Sequence, residues 1–339
     1  MRLFSLTKEI AVDLGTANTI IIHNDKIVIN EPSIVALDKR TDKLIAVGKE
    51  AQQMEGKENE YIRTVRPLRE GVIADFNAAE LMIRGLVKKA SSKNAWFSPS
   101  LRMVIGIPSG ASEVERRAVR DSAEHANGRD VYMLYEPMAA AIGIGLDVQA
   151  PEGNMLVDIG GGTTEIAVIA LGGLVTNMSI RVAGDDLTED IQGHMRRAHN
   201  VKVGVRTAEL IKINVGSALT ELEHPPEDYI VHGPNQMTAL PMEIPVSYQE
   251  ISHCIEKTIS KIEAAVLAAL EQTPPELYAD IDRNGNWLAG GGAMIRGLDK
   301  RLTDKIGISF HIAEDPLLAV AKGTGVALKN IENFSFLIR

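Results

Sequence analysis

A single cysteine, Cys254, stands in the 339 residues, so no disulfide can close within one chain. It falls in the series Ile251, Cys254, Ile255, Thr258, Ile259, Ile262, which is one face of a helix. It reads as a small core side chain in a protein suited to a reducing cytoplasm. Dense Lys/Arg blocks are also missing, and the formal net charge is -9, which argues against nucleic acid as a partner. No apolar run approaches the roughly 18 residues that cross a bilayer. The start, Met1 to Lys8, lacks the apolar stretch and cleavage site of a signal peptide. Any membrane contact is therefore expected to be peripheral, from the cytoplasmic side. Two common phosphate loops are absent as well: there is no G-x-x-x-x-G-K-[ST] and no G-x-G-x-x-G opening a helix after a strand.

The chain does have enough length for two domains sharing a cleft. Its 45% apolar and 24% charged residues are ordinary globular usage and predict independent folding. Early in the chain a strand over 10–13, a turn at Gly15, a strand over 19–23, a turn at Asn24-Asp25-Lys26 and a strand over 27–30 form a predicted meander. The script recurs: a strand over 155–158, a turn at Gly160-Gly161-Gly162, a strand over 165–170, a turn at Gly172-Gly173 and a strand over 174–180. Between the copies, Leu101 to Pro108 reads as a buried strand. Ser112 and Glu115 read as a capping box, 113–125 as a helix, Asn127-Gly128 as its stop and 131–134 as a strand. An alanine-rich helix follows from Glu136-Pro137 to Gly143. This βαβ order predicts an α/β fold with a mixed, largely parallel sheet covered by helices. Residues 33–74 and 181–244 read as insertions, the second with helices over 187–198 and 207–218 followed by short strands.

Asp13-Leu14-Gly15-Thr16-Ala17-Asn18 places a carboxylate at a strand end and a glycine where backbone must come close to a ligand. Asp158-Ile159-Gly160-Gly161-Gly162-Thr163 repeats this with three glycines that bare the backbone N–H groups, a nest for anions. One such turn alone would be read as purely conformational. Two copies predict a clamp on a polyphosphate, with Asp13 and Asp158 holding a hydrated Mg²⁺. A third run, Gly290-Gly291-Gly292-Ala293, offers a side-chain-free surface suited to the face of a base.

These segments, with Tyr135-Glu136-Pro137-Met138-Ala139-Ala140-Ala141, resemble the actin-type ATPase superfamily in order and spacing. More narrowly, Asn30-Glu31-Pro32-Ser33, Gly71 to Phe76, Glu115 to Ala118 and Thr207 to Lys212 are similar to the bacterial actins of the MreB type. The resemblance covers nearly the whole chain. It implies an actin-like ATPase fold of two related ribonuclease-H-like halves, each with an inserted subdomain. The implied divisions are subdomain IA (1–32, 75–143, 315–339), IB (33–74), IIA (144–180, 245–314) and IIB (181–244). It implies ATP and Mg²⁺ in the central cleft, with phosphates on Gly15, Thr16, Ala17, Asn18, Gly160, Gly161 and Gly162. Glu209 and Lys212 would line the nucleoside side, and Gly290, Gly291, Gly292 and Ala293 the adenosine. Glu136 and Thr163 match the pair that positions the attacking water. Phosphoryl transfer to water needs an oriented nucleophile more than covalent help. Glu136 is equally a carboxylate at a helix N-terminus, stabilised by about 0.3–1 kcal/mol.

Two positions depart from the family pattern, Val205 where an acidic residue is expected and Ala183 in place of a glycine. Both bear on ribose or base contacts. The resemblance further implies filaments of the chain itself on the inner face of the cytoplasmic membrane. There they organise cell-wall synthesis and rod cell shape with shape-determining membrane proteins. For the membrane contact, Leu3, Phe4 and Leu6 form a short apolar start that reads equally as a frayed terminus. Trp96 and Phe97, in a polar loop, fit interfacial insertion or local packing. Many weak sites on one filament would raise avidity by about 10²–10⁴. An actin-fold small-metabolite kinase is the alternative, and it lacks a further Asp-bearing acceptor loop. A chaperone-type ATPase is disfavoured because no substrate-binding domain is expected after the last helix.

Overall fold

The computed structural model describes residues 7–90 and 100–339. Leu3, Phe4, Leu6, Trp96 and Phe97 lie outside the described residues. β1 (Lys8–Leu14), β2 (Asn18–His23) and β3 (Lys26–Pro32) form the antiparallel meander. Its second turn puts Asn24 and Asp25 at positive φ, a conformation that short polar side chains tolerate. β4 (Val35–Asp38), β5 (Leu44–Val47), the one-turn α1 (Lys49–Gln52) and β6 (Ile62–Val65) build the first insertion around a three-stranded sheet. β7 (Leu68–Arg69) and β8 (Val72–Ile73) make a small hairpin, followed by α2 (Phe76–Ala90). Next come β9 (Leu101–Ile107), α3 (Glu113–His125), β10 (Gly128–Tyr135) and α4 (Glu136–Gly143).

The second half runs β11 (Asn154–Ile159), β12 (Thr164–Ala170), β13 (Gly173–Ile180), α5 (Gly184–His199) and α6 (Val205–Val215). It continues through β14 (Tyr229–Pro234), β15 (Pro241–Val246), α7 (Tyr248–Glu271) and α8 (Pro275–Asn284). It ends with β16 (Asn286–Ala289), α9 (Leu298–Ile306), β17 (Phe310–Ile312) and α10 (Ala319–Lys329).

The two main sheets have matching topology: β3-β2-β1-β9-β10 in the first half and β13-β12-β11-β16-β17 in the second. In each, the meander contributes two antiparallel pairings and the crossovers two parallel ones. The expected mixed sheet is present in each half, but parallel and antiparallel pairings are equal in number rather than mostly parallel. Hairpin-linked strands must run antiparallel, and they occupy one side of each central strand.

Local signals held where they were strong. Ser112 Oγ accepts from the Glu115 N–H at 3.3 Å, and the Glu115 carboxylate accepts from the Ser112 N–H at 2.7 Å, so α3 starts with both bonds of its capping box. Asn127 ends that segment at φ 77°. The helix expected to reach residue 218 instead stops at Val215, because Gly216 turns extended. Cys254 lies partly buried against the core of the second half, and burial pushes its thiol up to about 12. It is a packing residue, and inert at neutral pH.

Each half has its own apolar core, and a third cluster joins them. That cluster contains Ala11 and Val104 of the first sheet, Leu156 and Ala167 of the second, and the small residues of α4 and α10. The two helices approach so closely that a Cβ on Gly323 would stand 1.7 Å from the Ala139 carbonyl oxygen, and one on Gly143 would stand 1.9 Å from that of Ala319. Glycine is required at both positions. The helix pair is the seam between the halves.

Candidate nucleotide-binding site

The turns at residues 15–17 and 160–163 come from opposite halves and touch. A Cβ on Gly161 would meet Ala17 Cβ at 3.0 Å, and one on Gly162 would meet Thr16 Oγ1 at 2.8 Å. Larger residues would push the halves apart. The backbone N–H groups of Gly15, Thr16, Ala17, Gly161, Gly162 and Thr163 find no protein acceptor among the described residues. Buried N–H groups are nearly always paired, so six in two facing turns form a ready cradle for an anion.

Different neighbours support each turn. In the first, Ser33 donates its backbone N–H to the Ala17 carbonyl at 2.9 Å and its hydroxyl to the Gly15 carbonyl at 2.6 Å. In the second, the first turn of α5 lies underneath: Gly184 N–H donates to Gly160 O at 3.1 Å and Asp185 N–H to Gly161 O at 2.8 Å. Between the two sits the β7–β8 turn, with Glu70 and Gly71 both at positive φ. Gly71 N–H donates to Thr16 Oγ1 at 3.0 Å, and a Cβ there would stand 2.6 Å from Thr163 Cγ2.

Below the turns lies a concentration of acid. Asp13 is the penultimate residue of β1, Asp158 and Glu165 occupy facing positions on β11 and β12, and Glu136 opens α4 directly after β10. Burial pushes the Asp13 carboxyl up to about 7. Burial, reinforced by the charges of Asp13 and Glu165, pushes Asp158 up to about 8. Glu136 is raised well above its ordinary range by burial and then by Glu165, Asp13 and Asp158. No lysine or arginine of the described residues offsets these charges. Such a group of carboxylates fits a divalent cation, which would relieve the repulsion. They do not form a three-ligand cluster of closely spaced oxygens among the described residues. Contact through the ion's waters suits that spacing, and Mg²⁺ keeps its waters tenaciously.

Glu165 was not singled out in the sequence. It accepts the Ser109 N–H at 3.0 Å, the Ser109 hydroxyl, and the Ser179 hydroxyl at 2.6 Å, so it ties the first half to the second. Its signal was available: one charged residue in Thr164–Ala170, a strand buried at every position. Glu70 carried no such signal, because only the folded hairpin brings it to the cleft. Arg181 reaches across to Glu70 at 3.2 Å and Glu115 at 3.3 Å, a second link between the halves.

Lys212 and Glu209, on α6, are paired at 2.7 Å. Lys212 Nζ also donates to Gly184 O at 2.8 Å and Thr188 Oγ1 at 3.0 Å, which places both beside the N-terminus of α5. The third glycine run behaves differently. A Cβ on Gly290 would stand 2.3 Å from Ile159 O, and one on Gly292 would stand 2.2 Å from Ile159 Cγ2, so packing against β11 alone demands these two glycines. Ala293 is fully buried, and Gly291 is the exposed member of the run. Asn18 is exposed at the mouth of the first turn, and Val205 is exposed at the start of α6. Ala183 is buried and donates its N–H to Asp186 Oδ2 at 2.8 Å, so the missing glycine leaves the helix start intact.

Two halves of matching topology, joined by close-packed helices and carrying paired glycine turns beside buried carboxylates, define the actin-type class of nucleotide-binding proteins. The model of the MreB/Mbl protein family matches residues 7–335. The chain belongs to that family of actin-like, ATP-binding proteins. It is 44% identical over 333 residues to the cell shape-determining protein MreB of Escherichia coli K12, covering 96% of this chain and 94% of that protein. It is 42% identical over 326 residues to the cell shape-determining protein Mbl of Bacillus subtilis 168, covering 96% and 97%. Among solved structures, MreB5 of Spiroplasma citri bound to AMPPNP superposes with a TM-score of 0.89 at 37% identity, covering 96% of this chain and 97% of that one. The fold also extends to a MamK double helical filament, with a TM-score of 0.79 at 23% identity and coverage of 96% and 99%.

Proposed function

We propose that this chain binds ATP with Mg²⁺ between its halves and hydrolyses it. It assembles into filaments at the inner face of the cytoplasmic membrane, where it organises cell-wall synthesis and maintains rod shape. The observation that carries the nucleotide reading is the contact between the two turns, whose six N–H groups have no protein acceptor among the described residues, together with the buried carboxylates of Asp13 and Asp158. The relatives named for cell-shape determination, and the ATP analogue held by the Spiroplasma protein, support it.

In this reading Gly15, Thr16, Ala17 and Asn18 hold the phosphates from one side, and Gly160, Gly161 and Gly162 from the other. Asp13 and Asp158 would hold the cation through its waters, and the ion would supply charge neutralisation on the phosphates. Glu136 and Thr163 orient the attacking water. The carboxyl of Glu136, kept high by burial and its acidic neighbours, becomes a proton acceptor once those neighbours are neutralised. Glu209 and Lys212 face the nucleoside. Of the third glycine run, Gly291 is the member left free to meet the base. The boundaries assigned to subdomains IA, IB, IIA and IIB follow the same reading. The membrane contact falls to Leu3, Phe4, Leu6, Trp96 and Phe97, and no helix among the described residues is long and apolar enough to cross a membrane.

Sedimentation of the purified chain with ATP and Mg²⁺, with and without anionic lipid vesicles, tests assembly. Pelleting that depends on nucleotide is expected. A chain that stays monomeric in every condition defeats the filament reading. Release of labelled phosphate to water is expected, and transfer to a sugar would restore the kinase alternative.

A further inference from the structure

Outside the cleft, one cluster of side chains has the chemistry of a metal centre. His194 and His199, both on α5, aim their Nε2 atoms at the same oxygen, Oε1 of Glu250 in the first turn of α7. The His194 contact is 2.5 Å, and the two rings stand edge to face with centroids 5.8 Å apart. The three ligand atoms lie within 4.8 Å of one another, the one such trio among the described residues.

We propose that His194, His199 and Glu250 bind a borderline divalent metal ion of the Zn²⁺ class, fastening the C-terminal end of α5 to α7. Two imidazoles and one carboxylate are the donor set that suits Zn²⁺, Co²⁺ or Ni²⁺, whereas Mg²⁺ and Ca²⁺ prefer oxygen throughout. Hydrogen bonding alone must direct two N–H donors at one acceptor oxygen. A metal replaces both protons and uses the same convergence with each nitrogen as a lone-pair donor.

The framework is prepared in advance. Ser247 caps α7 by accepting the Glu250 N–H at 3.2 Å, and Asn200 ends α5 in the left-handed conformation directly after His199. The side chains are 22%, 25% and 23% exposed, so an ion has a way in and a solvent molecule can complete its coordination. The N-terminal end of α5 already bonds the turn at Gly160 and Gly161, and the metal would fasten its opposite end. It sits far along α5 from the cleft, and nucleotide affinity is not expected to depend on it.

The test is titration of the full chain with Co²⁺, then Zn²⁺, in excess Mg²⁺. One equivalent should bind, with the intense visible bands of four- or five-coordinate Co²⁺, release of protons, and a rise in melting temperature. Glu250→Gln and the double change His194→Ala with His199→Ala should each weaken binding by at least about 100-fold and leave binding of an ATP analogue unchanged. Equal uptake by the parent chain and both variants overturns the proposal, since other surface histidines would then be responsible. If the variants fail to fold, the parent decides. A stoichiometric Co²⁺ complex without nitrogen ligands in its X-ray absorption spectrum, or no complex at all, is fatal to it.

Discussion

The two glycine turns touch across the halves but are held in different ways. The first, at Gly15, adds side chains to one backbone bond: the Ser33 hydroxyl and N–H donate to the Gly15 and Ala17 carbonyls, and Thr16 Oγ1 accepts from Gly71. The second, at Gly160 to Gly162, depends on backbone: the first N–H groups of α5 donate to its carbonyls. One glycine suffices where side chains do the bracing and face away. In the second, Gly161 and Gly162 lie against the opposite turn, whereas a Cβ on Gly160 would meet only Thr163 O at 3.3 Å. The difference teaches that a duplicated fold need not keep duplicated contacts. Each half can be perturbed separately, while chemistry depends on groups drawn from both.

The largest effect is expected where the halves meet over the reacting phosphate. Glu136→Ala should reduce phosphate release by about 10²–10⁴-fold while ATP analogue binding persists, read by paired phosphate-release and calorimetric assays. Full hydrolysis in that variant would remove Glu136 from the mechanism. Next comes the packing of one turn on the other. In Gly162→Ala the new Cβ would stand 2.8 Å from both the Glu70 backbone and Thr16 Oγ1, so the turns must separate. A cost of about 2–3 kcal/mol, or roughly 100-fold in nucleotide affinity, is expected. Gly160→Ala meets only the Thr163 carbonyl, at 3.3 Å, and should cost far less. Equal effects at the two positions would show that turn-to-turn contact is not the constraint.

The acid pair sharpens the comparison through pH. The folded chain without nucleotide holds protons on Asp13 and Asp158 up to about 7 and about 8, whereas an unfolded chain releases them near its ordinary value of about 3.9. The folded state therefore binds more protons across this window, and stability falls as pH rises from about 4 toward 8. Asp158→Asn should flatten this fall and stabilise the nucleotide-free chain at pH 8 by about 1–3 kcal/mol, measured by denaturant unfolding. A variant no more stable at pH 8 than the parent would mean that these carboxyls are not strained. The smallest effect belongs to the first turn's brace. Ser33→Ala should cost about 1 kcal/mol of stability and weaken nucleotide binding slightly, because the bond from the residue 33 N–H to the Ala17 carbonyl remains. A loss as large as that of Gly162→Ala would erase the distinction between the turns.

Much of the site was legible in the sequence because backbone requirements leave marks. A carboxylate before a glycine turn, repeated once, pointed to the clamp, and the Ser112 and Glu115 spacing placed α3 to the residue. Glu165 left a mark too, as the charged residue in an otherwise apolar strand. The third glycine run carries a second demand that composition did not show, since Gly290 and Gly292 are also required by their packing on Ile159. Glu70 and Arg181 left no trace, because an exposed charge in a loop has the same local pattern whether or not a partner faces it.

The sequence by itself determined the elements, the duplication and the family, since these follow from periodicity, turn chemistry and motif order along the chain. Only the tertiary structure decided which turns touch, which carboxylates share a cleft without a cation, and that His194, His199 and Glu250 converge. Those are distances between segments far apart in the chain. They depend on how α4 and α10 seat the two sheets and on how α5 lies against α7, and no local pattern encodes a distance of that kind.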